Sequence, residues 1–507
     1  MTPEAIAART IKHKTRTFKI TEKNTMTNNI EKYVLDAARD AYSAQCDLRR
    51  RRMRYKRFTY GDQWGDMVRD SRGAMVREGD LMAAGGRPPL TNNLIRRLVK
   101  TIVGRWRTMA SESRRYDDPA LGARLNSLAE LDARMLEEFL ISGCAIQRVS
   151  RENRVPVGSA VWVDNVSPRD FFVNAFSDPR GHDIRLVGML HEMTPVELAA
   201  RFGRGDRVRM AALLQRARAE AGGDGIPAEP LVRDSSSEDF ARARSGYCRV
   251  IEIWTLDSAV ASCGTDISMG WHCRWMQADG TLLEQYHSPY GHGSHPFAIK
   301  YYPLTDGEVH SFVEDVVEQQ KYINRLVVLI DKMMGASAKG VLLFPMAQKS
   351  PLVSWEEIAE RWSRTDGVIP VMGRGETLPT QITGSGADAG AHQLLSLELK
   401  LFEDVSGVSN ALLGQSTNAA GGAGLFDAQV RNSTIALADI FDTFESFLSD
   451  RDRRILLCGR DAPATTVPIE GCAPSAADAV KRATVGTGTD KRVGREKTMN
   501  DTNATQP

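Results

Sequence analysis

Between Asp306 and Leu448 the chain runs in the order helix, compact insertion, helix, soft loop, helix, and few folds accommodate that order. Val309, Phe312, Val313, Val316, Val317, Ile323, Val327, Ile330 and Met334 recur every three or four positions, which predicts one apolar face of a helix over His310–Met334. At 1.5 Å per residue that helix is roughly 35–40 Å long. Leu394, Leu395, Leu397, Leu399, Leu401, Phe402 and Val405 give a second broad apolar face, although the alternation of Leu395, Leu397, Leu399 and Leu401 leaves a strand open. Two such helices can pack antiparallel with the insertion at their tip. A third helix is expected from about Leu425 to Leu448, carrying Val430, Ile435, Leu437, Ile440, Phe441, Phe444 and Phe447, with Asp427 in its first turn complementing the helix dipole. No catalytic group stands out in the region.

The insertion reads as a strand at Gly340–Phe344, a short helix at Ser354–Arg361 capped by Ser354, and a strand at Gly367–Met372. It is too small to bury a core alone, so docking onto neighbouring subunits, by strand addition at their sheet edges, is expected. Trp355 and Trp362 lie seven apart on one helix face and, with Glu356, are the candidate interface residues. The loop Gln415-Ser416-Thr417-Asn418-Ala419-Ala420-Gly421-Gly422-Ala423-Gly424 has no charge, no aromatic ring and no β-branched residue besides Thr417. It cannot hold phosphates by ion pairing, and its glycines admit many backbone states.

Four segments together carry a resemblance. "EDVSGVSNALLG" (Glu403–Gly414), with the following Gly/Ala/Ser/Asn loop and helix, resembles the stem-and-tunnel region of portal proteins of tailed bacteriophages. "YGDQW" (Tyr60–Trp64) is similar to that family's opening signature. "RPPLTNNLIRRLVKTIVGRWR" (Arg87–Arg107) is similar to its first wing segment, and "HPFAIKYYPLTDGEVHSFVEDVVEQQKYINRL" (His295–Leu326) to its approach to the first stem helix. The resemblance covers roughly Glu31 to Arg454. It implies an α+β portal fold: a wing over 30–305, a first stem helix over 306–336, a clip over 337–389, a second stem helix over 390–409, a tunnel loop over 410–424 and a long wing helix over 425–458. It also implies a cyclic ring, usually dodecameric, at one capsid vertex of the virion, made in the host cytoplasm. Gln415, Ser416, Thr417, Asn418, Gly421, Gly422 and Gly424 would line the channel for double-stranded DNA. Implied partners are other copies of the chain, the terminase large subunit, head-completion or adaptor proteins, and the major capsid or scaffolding protein. No cofactor, catalysis or membrane association is implied.

Composition is compatible with this and decides little. A chain of 507 residues can bury a large core, and 42% hydrophobic and 26% charged residues are ordinary for a globular protein. The net charge of +2 supplies no global basic field, which suits a channel through which a duplex slides. Seven cysteines without regular spacing point to reduced thiols and cytosolic synthesis. No apolar run reaches about 18 residues and no apolar stretch follows the N-terminal charges, so neither a membrane span nor a signal peptide is expected.

Residues 1–29 and 459–507 lack periodicity and are expected to be disordered; relatives of the resembled family often carry a helical crown at the latter position. Glu31–Phe58 reads as one helix ending in a run of arginines, of which Arg49, Arg50, Arg52 and Arg54 are candidate phosphate contacts. The charges run around the whole helix rather than along one stripe, which favours a solvated or interface face. Helices are expected at Thr91–Arg105, Leu121–Ser142 and, after a Thr194 cap, Pro195–Phe202. Strands are expected at Ala145–Val149, Ser159–Val163, Asp170–Val173, Arg249–Leu256 and Trp271–Gln277, and residues 203–245 read as a mobile insertion.

Phosphate-binding Gly-x-x-x-x-Gly-Lys, Gly-x-Ser-x-Gly and His-Glu-x-x-His patterns are absent, so ATP hydrolysis is not expected. Cys263, His272, Cys273, His287, His292 and His295 are too irregularly spaced for a tetrahedral metal site, and structural histidines and buried thiols are the preferred reading. A DNA-processing nuclease would need a carboxylate cluster that does not stand out. A cellular helical adaptor would leave the Gln415–Gly424 loop without a purpose.

Overall fold

The computed structural model describes residues 30–84, 89–222, 239–260, 267–337, 341–346, 349–363, 369–371, 379–382, 387–408 and 435–458. The expected N-terminal arm, tunnel loop and C-terminal tail lie outside them.

The single helix expected over Glu31–Phe58 is two: α1 over 30–44 and α2 over Cys46–Tyr60. The break has a local cause. The Tyr42 carbonyl accepts from the Gln45 N–H (3.3 Å) and from the Arg49 guanidinium (2.6 Å), while the Gln45 side chain turns away to donate to the Val173 carbonyl. Helix α3 spans Leu94–Glu112; the Asn93 side chain accepts from the Arg96 N–H and so caps one of the orphan donors of its first turn. Helix α4 spans Leu128–Ser142 and ends at Gly143, whose φ of 72° suits a residue without a Cβ.

Strands β1 (Cys144–Arg154) and β2 (Gly158–Asn165) form a hairpin. Strands β3 (Phe171–Val173), β4 (Leu186–Met193), β5 (Cys248–Val260), β6 (Ile267–Gln277) and β7 (Leu282–His287) form an antiparallel sheet in that order. Strand β8 (Phe297–Tyr301) pairs with the other edge of β1. Between β4 and β5, α5 (Pro195–Phe202) begins with a reciprocal Thr194–Glu197 capping box. Helix α6 (Arg207–Ala221) lies within residues 203–245, where a mobile insertion was expected. Asp206 caps it, and good helix formers carry it with only Ala217 buried, so it displays no apolar stripe.

Helix α7 spans Glu314–Ser337, α8 Trp355–Ser363, α9 Ala387–Ser406 and α10 Ala438–Cys458. Strand β9 (Val341–Leu343) pairs antiparallel with β10 (Thr380–Ile382). The strand expected at Gly367–Met372 is represented among the described residues by one bridge, Val371 to Lys349. A mixed α+β fold results. Its largest core joins α3, α4, α7 and α10: Ile95, Leu98, Ile102 and Trp106 meet Phe139, Val313, Val316, Val317, Phe444 and Phe447. Trp106 and Phe444 meet edge to face at 5.5 Å. Burying each such side chain contributes about 1.5–3 kcal/mol. A second core lies under the five-stranded sheet, and α1 covers that sheet through Val34, Leu35, Ala38 and Tyr42.

Candidate assembly surfaces of the stem and clip

Three side-chain amides, Gln320, Asn324 and Gln63, meet the Asn92 backbone at the start of α7. Gln320 is fully buried, and its Oε1 accepts from the backbone N–H groups of Leu94 (2.9 Å) and Ile95 (3.3 Å), capping α3 from another element. Its Nε2 donates to the Asn92 carbonyl (2.7 Å) and the Asn324 Oδ1 (3.2 Å). Asn324 in turn accepts from the Asn92 N–H (3.1 Å) and donates to the Gln63 Oε1 (2.5 Å). Three of the segments that suggested a family therefore converge here: Gln63 from "YGDQW", Asn92 from "TNNL", and Gln320 and Asn324 from the approach to the stem. Buried polar atoms survive in a core only when so partnered. Sequence reading missed this cluster. Its signal was two amides, four apart, on the buried stripe of a helix otherwise lined with valine and isoleucine.

Charged groups surround that cluster. Arg54 reaches Asp66 (3.0 Å) and Glu318 (2.8 Å), Lys321 reaches Asp66 (2.9 Å) and Glu78 (3.3 Å), and Arg325 reaches Glu78 (2.6 Å). Burial raises the Asp66 pKa, but hydrogen bonds from Lys321 and Arg54 outweigh it and hold the carboxyl below its ordinary range. The four candidate phosphate-contact arginines are distributed by this packing. Arg49 is buried, with its guanidinium 3.7 Å from the centre of the Tyr42 ring, and Arg52 is buried in a two-bond pair with Glu138 (2.5 and 2.8 Å). Arg54 belongs to these charged groups, and Arg50 is exposed beside Asp47 (3.0 Å). The charges run around the helix because most of them face acids from distant elements. The buried positions of Arg49 and Arg52 do not present them to a phosphate outside the chain.

Helix α7 packs on α9 by one face of each. Phe402 is buried there and Leu395 is half-buried, which settles the helix-or-strand ambiguity in favour of helix. Leu394, Leu397, Leu401 and Val405 are spaced by three or four and face solvent, Leu397 with 51% of its surface exposed. Tyr322 and Leu329 on the outer face of α7 are exposed as well. A continuous apolar stripe in water is the mark of a contact surface.

In the insertion between α7 and α9, Ser354 caps α8 by accepting from the Glu357 N–H (3.0 Å). Trp355 is 44% exposed; its ring meets Phe344 edge to face at 6.0 Å and lies 5.2 Å from the Lys349 Nζ. Glu356 is exposed and Trp362 half-buried. Met346 and Leu352 stand out into solvent nearby in sequence, Leu352 at 91%. The residues expected to form the tunnel loop, Gln415, Ser416, Thr417, Asn418, Gly421, Gly422 and Gly424, lie outside the described residues.

Arg451 and Asp132 tie α10 to α4, and Glu252 ties the five-stranded sheet to β1 through Arg148. Burial raises the Glu252 pKa, but Arg148 and His191 prevail and hold it down at about 2. His272 and His287 stack edge to face at 4.0 Å on neighbouring strands, while Trp271 and Tyr290 pack His295 and His292 respectively. Among the described residues no three histidine, cysteine, aspartate or glutamate side chains converge as a metal site, and Cys263 lies outside them. No described helix is long and apolar enough to cross a membrane.

No curated protein matches the chain. One protein-family model, described as Phage P22-like portal protein, matches residues 160–457.

Proposed function

The chain belongs to the phage P22-like portal protein family, and from that premise we propose that it closes into a dodecameric ring at one capsid vertex, through which double-stranded DNA is packaged and later ejected. The family is one of structural virion components. The exposed stripe of Leu394, Leu397, Leu401 and Val405 carries the assembly part of this reading. A lone subunit leaves it in water, whereas a neighbour in a head-to-tail ring would cover it, and closure would repeat that contact at every subunit.

In this reading α7 and α9 form the stem and the α8 region forms the clip, which docks the terminase large subunit during packaging and head-completion or adaptor proteins afterwards. The wing meets the major capsid or scaffolding protein. Residues Gln415–Gly424 form a channel loop that contacts the duplex sterically rather than by charge. Electron microscopy of the purified chain tests the ring: particles with an axial hole are expected, and a preparation of monomers alone overturns it. Shortening 415–424 to a minimal turn is expected to leave rings intact and to impair packaging or retention of DNA. Full packaging and retention by that variant would reduce the segment to a linker.

A further inference from the structure

The arginines of α2 described above meet in-chain partners, but most cations of α3 do not. The outward positions of α3 are Arg97, Lys100, Thr101, Gly104, Arg107 and Thr108, which fall on one helical face. Arg107 is paired with Glu130 (2.5 Å). Arg96 lies over the Tyr60 ring at 4.9 Å. Among the described residues Arg96, Arg97, Lys100 and Arg105 have no carboxylate at ion-pair distance, and the Arg105 Nε is buried without a hydrogen-bond partner. Asn93, Arg96, Arg97, Lys100 and Thr101 line a concavity of about 420 Å³. The helix's one acid, Glu112, is its last residue. The remaining positions of the face are small, and nothing lies within 4 Å of where a Gly104 side chain would begin.

We propose that this face of α3 is a contact for the sugar–phosphate backbone of double-stranded nucleic acid. The proposal rests on the portal reading for the identity of the polyanion. Cations without in-chain counter-charges, set among threonines and a glycine, let a smooth polyanion approach closely and offer nothing that reads a base edge. Such contacts are independent of sequence and weaken steeply with salt. A few charges per copy give a shallow grip, repeated around a ring, that a moving duplex can slide across.

The experiment measures binding of assembled wild-type particles to a random-sequence duplex between 50 and 200 mM salt, alongside an Arg97→Ala/Lys100→Ala variant. Arg218→Ala on the exposed face of α6 and the charge-conserving Arg97→Lys/Lys100→Arg variant serve as controls. Rings are expected to survive in all of them. The double-alanine variant should bind roughly tenfold or more weakly at the lowest salt, with the slope of log K against log salt shallower by about one for each phosphate that is no longer neutralised. Both controls should keep the wild-type slope. An unchanged slope in intact double-alanine rings overturns the proposal, as does undetectable wild-type binding at the lowest salt. Loss of rings on removing these charges also overturns it, by assigning the face to a second copy of the chain. A wild-type chain that forms no ring overturns the portal reading instead. The slopes are then measured on the dispersed chain, where a shallower double-alanine slope supports the phosphate contact and an unchanged one overturns it.

Discussion

Arg451 on α10 and Asp132 on α4, 319 residues apart, form an ion pair with hydrogen bonds of 2.8 and 3.0 Å and no solvent exposure on either side chain. Gln147 and Tyr116 donate to the same carboxylate, each at 3.1 Å, so the charge is paired and its lone pairs are used. Breaking such a pair from one side costs about 3–5 kcal/mol, whereas replacing both partners with apolar groups can be nearly neutral. Arg451→Leu is therefore expected to lower stability by that order in urea melts, and Asp132→Leu/Arg451→Leu to recover most of it. A single-variant loss under about 1 kcal/mol would show that the pair does not anchor α10.

Gln320→Leu removes the acceptor for the Leu94 and Ile95 N–H groups and the donor to the Asn92 carbonyl at nearly constant volume. Each buried group left without a partner costs about 1–3 kcal/mol. Hydrogen exchange should accelerate at the start of α3 and in the middle of α7 more than in β5. Uniform exchange across these elements would argue against a local role.

Leu397→Asp/Leu401→Asp tests the stem stripe. Both side chains are exposed in the single chain, so melting of the dispersed subunit should move by no more than about 0.5 kcal/mol. Ring yield in micrographs should fall sharply. Normal rings would exclude the stripe from the subunit contact. The buried counterpart Val316→Asp should instead destabilise the chain itself.

Trp355→Ala and Trp362→Ala test the clip. An aromatic interface anchor is worth about 2 kcal/mol or more, or roughly thirtyfold in affinity. Ring closure or terminase affinity should suffer by that order while the subunit melts nearly as before. Unchanged assembly and affinity in both variants would return the two rings to packing within the subunit.

His292 predicts a pH dependence. Burial, with help from Arg454, lowers its pKa from 6.5 to about 4, so the folded state holds it neutral where the unfolded chain takes up a proton. Its contribution to stability is complete above about pH 6.5 and is lost as pH falls towards 4. His292→Phe, which keeps the stacking on Tyr290, should make the decline in melting temperature over that window shallower, the remainder belonging to His295 and His272, whose pKa values burial also lowers. A second decline should follow below pH 4.5, as Glu152 and Glu252, both held down at about 2, take up protons. A wild-type profile flat from about pH 7 to 4 would contradict the first part.

Helix α7 was legible because Val313, Val316, Val317, Ile323 and Ile330 repeat at helical spacing and are all buried. Helix α6 was not, because Arg207–Ala221 buries so little that no stripe forms; its helical propensity and the Asp206 cap were the readable signals. The Arg49–Arg54 run was read by its charge, but Arg51, Arg52 and Arg54 reach Glu314, Glu138 and Glu318, 86 to 264 residues away, and such pairing leaves no local trace. The amide cluster was hidden for the same reason. Each of its members lies in a segment recognised separately, and only folding brings them together.

The amides at Gln320 and Asn324 clamp α7 near its lower third, and the helix then runs 13 residues to Ser337, about 20 Å at 1.5 Å per residue. That gives α7 a short gripped end and a longer arm that packs on α9 by one face. A tilt of about 5° at the grip would carry the tip roughly 2 Å sideways at that length. Neutral amides hold the pivot, so a rise in ionic strength leaves its stiffness untouched while it loosens the charged groups around it.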